Sequence, residues 1–147
     1  MSKILQNVDE NIKKYGLANI HVFASEESPA FSYTVGFTNQ DLPEFITFGI
    51  LPETGQDIFN DLYKRIGEGE LFELGVPNNT VIKDLPVYFF AVSQTQAKEY
   101  INAANQYFDR NLEAIQMVWP DNKGNFPWDK DYNEGYRQIV IADIPKH

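Results

Sequence analysis

Hydrophobic positions recur at two periods along this chain, and the switches between them outline its elements. Residues 2–15 place Ile4, Leu5, Val8, Ile12 and Tyr15 at helical spacing, with Ser2 positioned to cap the first turn and Gly16 to stop the last. Ile20 to Ala24 alternates as a strand does. Phe31 to Phe37 alternates more sharply, with Phe31, Tyr33, Val35 and Phe37 on one face and Ser32, Thr34 and Gly36 on the other. Phe45 to Ile50 predicts a third strand, after a turn at Asp41-Leu42-Pro43. From Pro52 to Ile66 the period returns to helical, and Ile58, Phe59, Leu62, Tyr63 and Ile66 form the apolar stripe before Gly67 and Gly69 end it.

Val87 to Val92 is the most apolar run and predicts a central strand. Ser93 and Gln96 then form a capping box for a third helix that buries Ala97, Tyr100, Ile101 and Ala104. Leu112 to Trp119 predicts another strand and Gln138 to Ala142 the last. Nothing resembling a linker or repeat interrupts this order. It implies a single α+β domain over residues 1–147, with a mainly antiparallel sheet of about six strands and about three helices.

Composition narrows the partners. Aromatic residues are 14% of the chain and spread along it, so the core should be rich in rings. The net charge of −9 argues against nucleic acid or an anionic membrane as partner; it suits a small cationic molecule or a basic partner protein. There is no cysteine, which removes disulfides, thiolate chemistry and Cys-ligated zinc. No apolar run is long enough to span a bilayer. The first ten residues turn polar too early for a secretory leader, so a cytoplasmic location is expected.

Two segments carry candidate chemistry. Val118 to Asp129 holds both tryptophans, Pro120 and Pro127, and a β-turn at Asp121 to Gly124. Trp119 and Trp128 would offer flat faces, and Asp121 and Asp129 acceptors for a cation or hydroxyl. Tyr33 and Thr34, on the other distinctive strand, are expected opposite them across a cleft. Gly36 marks a place where a side chain would collide with a neighbouring element or a ligand. The alternative is architectural: the rings close one end of the sheet, and Asp121 caps its own turn.

Both segments resemble those of a known family. Pro29-Ala30-Phe31-Ser32-Tyr33-Thr34-Val35-Gly36-Phe37 is similar to its first motif, and Gln116-Met117-Val118-Trp119-Pro120-Asp121, continuing through Gly124 to Phe126-Pro127-Trp128, to its second. Pro43-Glu44, Phe48-Gly49 and Tyr15-Gly16 also fit. On these residues the chain resembles the bacterial domain-of-unknown-function family 4262 over roughly residues 8 to 140. The resemblance implies no activity. The chain departs from the family pattern at the last strand, where Gln138-Ile139 stands in place of Gln-Pro.

Several catalytic and metal patterns are missing or broken. Asp129, Asp131 and Asn133 begin like a calcium loop, but Glu134 holds the glycine position and Val140 the final acid position, so no metal site is assigned. His21 and His147 are the only histidines, and neither has a partner ligand in sequence. No nucleophile elbow or phosphate loop is present. The expected function is therefore a non-catalytic binding or interaction module with an aromatic cleft, for which an immunity-type role against a basic toxin is one form. A flavin-binding split-barrel enzyme is the alternative, although Lys64, Arg65, Arg110 and Arg137 sit in no recognisable phosphate motif. The cofactor is left open.

Overall fold

The computed structural model describes residues 2–144, so His147 lies outside the described residues. Helix α1 (Lys3–Tyr15) starts where Ser2 Oγ accepts the Leu5 N–H at 3.2 Å, and it ends on Gly16 at φ +86°. The chain continues through β1 (Ala18–Val22), β2 (Phe31–Val35), a 3-10 turn (Phe37–Gln40), β3 (Glu44–Phe48) and α2 (Pro52–Gly67). It then forms β4 (Asn78–Ile82), β5 (Leu85–Val92), two short helices α3 (Gln94–Ala97) and α4 (Asn102–Phe108), and β6 (Ala114–Val118). The six strands make one mixed sheet in the order β1-β2-β3-β6-β5-β4, in which only β3 and β6 run parallel. This is the single α+β domain expected from the pattern.

Helices cover both faces of the sheet. On the first face Val8 of α1 and Ala103 and Ala104 of α4 pack with Phe31, Tyr33, Val35, Ile46, Phe48 and Phe90. On the second, Ile58, Phe59 and Leu62 of α2 pack with Phe45, Val87, Phe89 and Met117. Odd and even positions of β3, β5 and β6 therefore both face apolar layers, which is why Val87 to Val92 reads as a continuous apolar run. Tyr107 Oη donates to Asp9 at 2.6 Å and ties α4 to α1, and this carboxylate pushes the phenol up to about 12.

Four expectations need correction. Phe37 leaves the face of Phe31, Tyr33 and Val35 and joins the α2 cluster, because Gly36 at φ +148°, ψ −30° ends the alternation. The third helix is two helices. The capping box of Ser93 and Gln96 forms, but Ile101 is non-helical and the chain restarts at Asn102. There the Tyr33 hydroxyl accepts the Ala103 N–H at 3.0 Å and caps α4, which has no side-chain cap from its own start. Tyr33 is thus a structural link across 70 positions.

The strand expected at 138–142 does not form. Both neighbours of β6 are already taken by β3 and β5, so this segment crosses the first face instead. The buried side chain of Gln116 replaces a ladder there, donating to Ile139 O at 2.7 Å and accepting from Ile141 N at 2.9 Å and Ala142 N at 3.2 Å. The sixth strand is instead β4, whose sequence Asn-Asn-Thr-Val-Ile is too polar to signal a strand and forms an exposed edge.

Candidate functional site

The residues that carry the family resemblance meet one another more than they meet solvent. Glu44, fully buried at the start of β3, receives five hydrogen bonds. Thr34 Oγ1 donates to it at 2.7 Å, Thr38 Oγ1 at 2.6 Å, and the backbone N–H groups of Gly36, Phe37 and Thr38 at 3.1, 3.2 and 2.9 Å. Thr34 Oγ1 in turn accepts from Phe45 N at 2.9 Å. Burial pushes the Glu44 carboxyl above its ordinary value, while the hydroxyls of Thr38 and Thr34 and the N–H groups of Thr38 and Gly36 pull it back. This acid has no acceptor capacity left for a substrate; it fastens the 3-10 turn to β3. Thr34 and Gly36 are therefore brought together, but on Glu44. Nothing in sequence periodicity singled out Glu44; its signals were the Pro43-Glu44 match to the family pattern and its place as one acid at the edge of an apolar strand.

The tryptophan turn is also tightly bound. Asp121, 2% exposed, accepts from Lys123 N and Asn125 N at 2.9 Å each and from Asn133 N at 2.8 Å. Burial raises its pKa, but the N–H groups of Asn133, Asn125 and Lys123 outweigh this and hold it below its ordinary 3.8. Asp129 accepts from Phe126 N at 2.8 Å. Because the folded value of Asp121 is depressed, its stabilisation is present above 3.8 and is lost as pH falls through that region. Acid melting curves should therefore show wild type losing more stability below about pH 4 than Asp121→Asn does. Parallel curves for the two proteins would remove Asp121 from that role.

The two tryptophans do not form one wall. Trp119 lies on the α2 face, its Nε1 donating to Phe48 O at 2.8 Å and its ring edge-on to Tyr136 at 6.0 Å. It lines a crevice of about 370 Å³ with Gly49, Leu51, Tyr136 and Arg137. Trp128 lies on the opposite face, stacked on Phe126 at 5.0 Å and edge-on to Tyr88 and Phe90. Nine residues reverse the chain but also carry it around the end of the sheet, which is why the two rings part. Tyr33 lines a different cavity from Trp119, and Thr34 faces Glu44, so the expected juxtaposition across a cleft does not occur.

The cavity that Tyr33 does reach is the largest described, about 740 Å³. It runs between the start of α1, the end of β1 and the α3–α4 junction. Its floor is Phe31 and Tyr33, and its rim carries Phe23, which is 86% exposed, and Ile4, 59% exposed. Glu27 and Glu99 also line it, whereas among the described residues no Lys or Arg does. Tyr33 and Tyr100 are fixed below it by the Ala103 bond and by edge contacts of Tyr100 with Phe31 and Phe48 at 5.6 and 5.5 Å. An apolar groove with a rigid floor, two exposed apolar side chains and an acidic rim can seat an apolar side chain flanked by cations. Phe23 falls inside the strand expected at Ile20 to Ala24, but β1 ends at Val22, so the ring stands just past the strand, where exposure depends on the loop that follows.

The remaining candidate chemistry is engaged elsewhere. His21 Nδ1 lies 2.7 Å from Ser32 Oγ. Among the described residues, no group of three or more His, Cys, Asp or Glu side chains is placed to hold a metal, and no helix is long and apolar enough to cross a membrane. No curated protein and no solved structure matches the chain. The profile of the family described as Domain of unknown function (DUF4262) matches residues 11–133 and so takes in both motifs, the Glu44 network and the tryptophan turn. The chain belongs to that family.

Proposed function

We propose that this domain is a non-catalytic binding module whose groove beside Phe23 receives a basic partner protein. The observation that carries the reading is an 86% exposed phenylalanine on the rim of the largest described cavity, next to two acids and, among the described residues, no Lys or Arg. A ring left in water at that position gains from burial only when a partner covers it. The net charge of −9 adds long-range attraction for a basic partner and repels nucleic acid. Neutralisation of a basic toxin is one role of this chemistry. The cytoplasm is the proposed location, and the absence of cysteine is compatible with it.

The flavin reading leaned on a small closed barrel. The sheet is open, with β1 and β4 as its edges, and among the described residues the groove lining offers no Lys or Arg for a phosphate. A yellow colour in the purified protein would revive that reading.

Charge reversal tests the proposal. A synthetic leucine–lysine amphipathic helix should bind wild type, and Glu27→Lys with Glu99→Lys should weaken it at least about tenfold by calorimetry. The control is Glu53→Lys with Asp57→Lys, an equal change of net charge on exposed positions of α2, which should stay within about twofold. Equal weakening in both double variants would mean that binding follows net charge and not the groove.

A further inference from the structure

A second cavity, of about 630 Å³, lies on the other side of β1 and has a different chemistry. Strand β1 pairs only with β2, so its outer edge is open, and the groove follows it between α1 and α2. Carboxamides dominate the lining: Asn11 from α1, Asn19 from β1, and Gln56 and Asn60 from α2. Tyr15 and Tyr63 supply rings. The chain has 21 acids and 12 Lys or Arg residues, yet none of the described ones lines this groove.

One atom in the lining is unsatisfied. Asn19 Nδ2 donates to Asn60 Oδ1 at 3.1 Å, but Asn19 Oδ1 is buried and has no partner. A buried acceptor without a donor is costly, and native proteins keep few of them. The other carboxamide of the pair, Asn60, is an exposed side chain, and side chains of that kind change rotamer within nanoseconds. The rings differ in rigidity. Tyr63 is held edge-on to Phe37 at 5.4 Å, and its hydroxyl crowds Gly16. Tyr15 has Lys14 Nζ 5.1 Å from its ring but remains 62% exposed.

We infer that this groove binds a neutral, hydroxyl-rich ligand of the saccharide class. Each carboxamide offers both a donor and an acceptor, which matches the paired hydroxyls of a sugar, and a described lining without acids, Lys or Arg gives an ionic ligand no counter-charge on the groove wall. The face of Tyr15 away from Lys14 matches the apolar face of a pyranose ring. A ligand hydroxyl that takes the place of the Asn60 side chain beside Asn19 would leave the Asn19 carboxamide free to turn and would offer its oxygen a donor. The site is separate from the Phe23 groove, so the two readings stand or fall independently.

The experiment is amide NMR of the whole chain with cellobiose, maltose and N,N′-diacetylchitobiose, each at about 10 mM to catch weak binding. At least one should shift the side-chain amide signals of Asn19, Gln56 and Asn60, while glucuronate at the same concentration should not. Gln56→Ala, at an exposed helix position, should weaken that binding about tenfold without changing the melting curve. Asn19→Ala removes the orphaned oxygen, so it should melt at or above the wild-type temperature while losing binding. The proposal is overturned if no saccharide shifts these amides, if glucuronate shifts them equally, or if the shifts survive both substitutions. It is equally overturned if an extended peptide, and no sugar, shifts the backbone amides of β1.

Discussion

Glu44→Ala should lower the unfolding free energy by about 4 kcal/mol, because buried donors left without an acceptor cost about 1–3 kcal/mol each and several converge here. Thr34 Oγ1, Thr38 Oγ1 and three backbone N–H groups lose their acceptor at once. A loss of that size is a large fraction of the stability of an ordinary domain, about 5–15 kcal/mol. Glu44→Gln keeps the shape but turns an amide donor toward donors, so it should fall between alanine and wild type. Urea denaturation at neutral pH measures both. An alanine variant within about 1 kcal/mol of wild type would mean that water satisfies the cluster and that Glu44 fastens nothing. The raised folded pKa of Glu44 means that its ionisation opposes folding as pH rises through that value, the opposite sign to Asp121.

Gly36→Val should have a comparable effect for a steric reason. A Cβ at position 36 would stand 2.5 Å from Gly16 O and 3.1 Å from Leu17 Cα, both backbone atoms of the turn between α1 and β1. At φ +148° a side chain is strained even without that contact. Neither side can yield cheaply, because the Gly36 N–H is held by Glu44 and the Gly16 turn closes α1. The expected cost is about 3 kcal/mol or more, read as a lowered urea midpoint with an unchanged slope. An unchanged midpoint would show that the turn moves freely away from β2.

What the sequence disclosed follows from how local each cause is. Ser2, Gly16 and the capping box of Ser93 and Gln96 act within a few residues, and their spacing alone reports them. The steric restriction at Gly36 was legible because glycine is out of place in a strand of rings and β-branched residues. The break at Ile101 was not, since it depends on Tyr33 capping α4 from a distant strand. The segment at 138–142 has strand composition, but pairing depends on a free sheet edge, and a buried glutamine stands in for one.

The motif segments were legible as special and misleading as to why. Thr34, Glu44, Gln116, Trp119 and Asp121 are polar or ring-bearing residues in distinctive company, as binding residues are. Their partners lie in other parts of the same chain: Thr34 on Glu44, Gln116 on residues 139–142, the Trp119 Nε1 on Phe48 O, Asp121 on Asn133. The exposed ring of Phe23, by contrast, carries no motif.

The most direct test of the account compares the two aromatic regions in one binding assay. With the leucine–lysine peptide, Phe23→Ser should raise Kd by about tenfold to a hundredfold, the loss expected when a ring of about 1.5–3 kcal/mol is no longer covered. Its melting temperature should stay at the wild-type value, because the ring is 86% exposed in the free protein. Trp128→Phe, which keeps an aromatic ring against Phe126 and Tyr88, should leave Kd within about twofold. The reverse pattern, with Phe23→Ser silent and Trp128→Phe weakening the peptide tenfold, would contradict the account and return the binding face to the tryptophan turn.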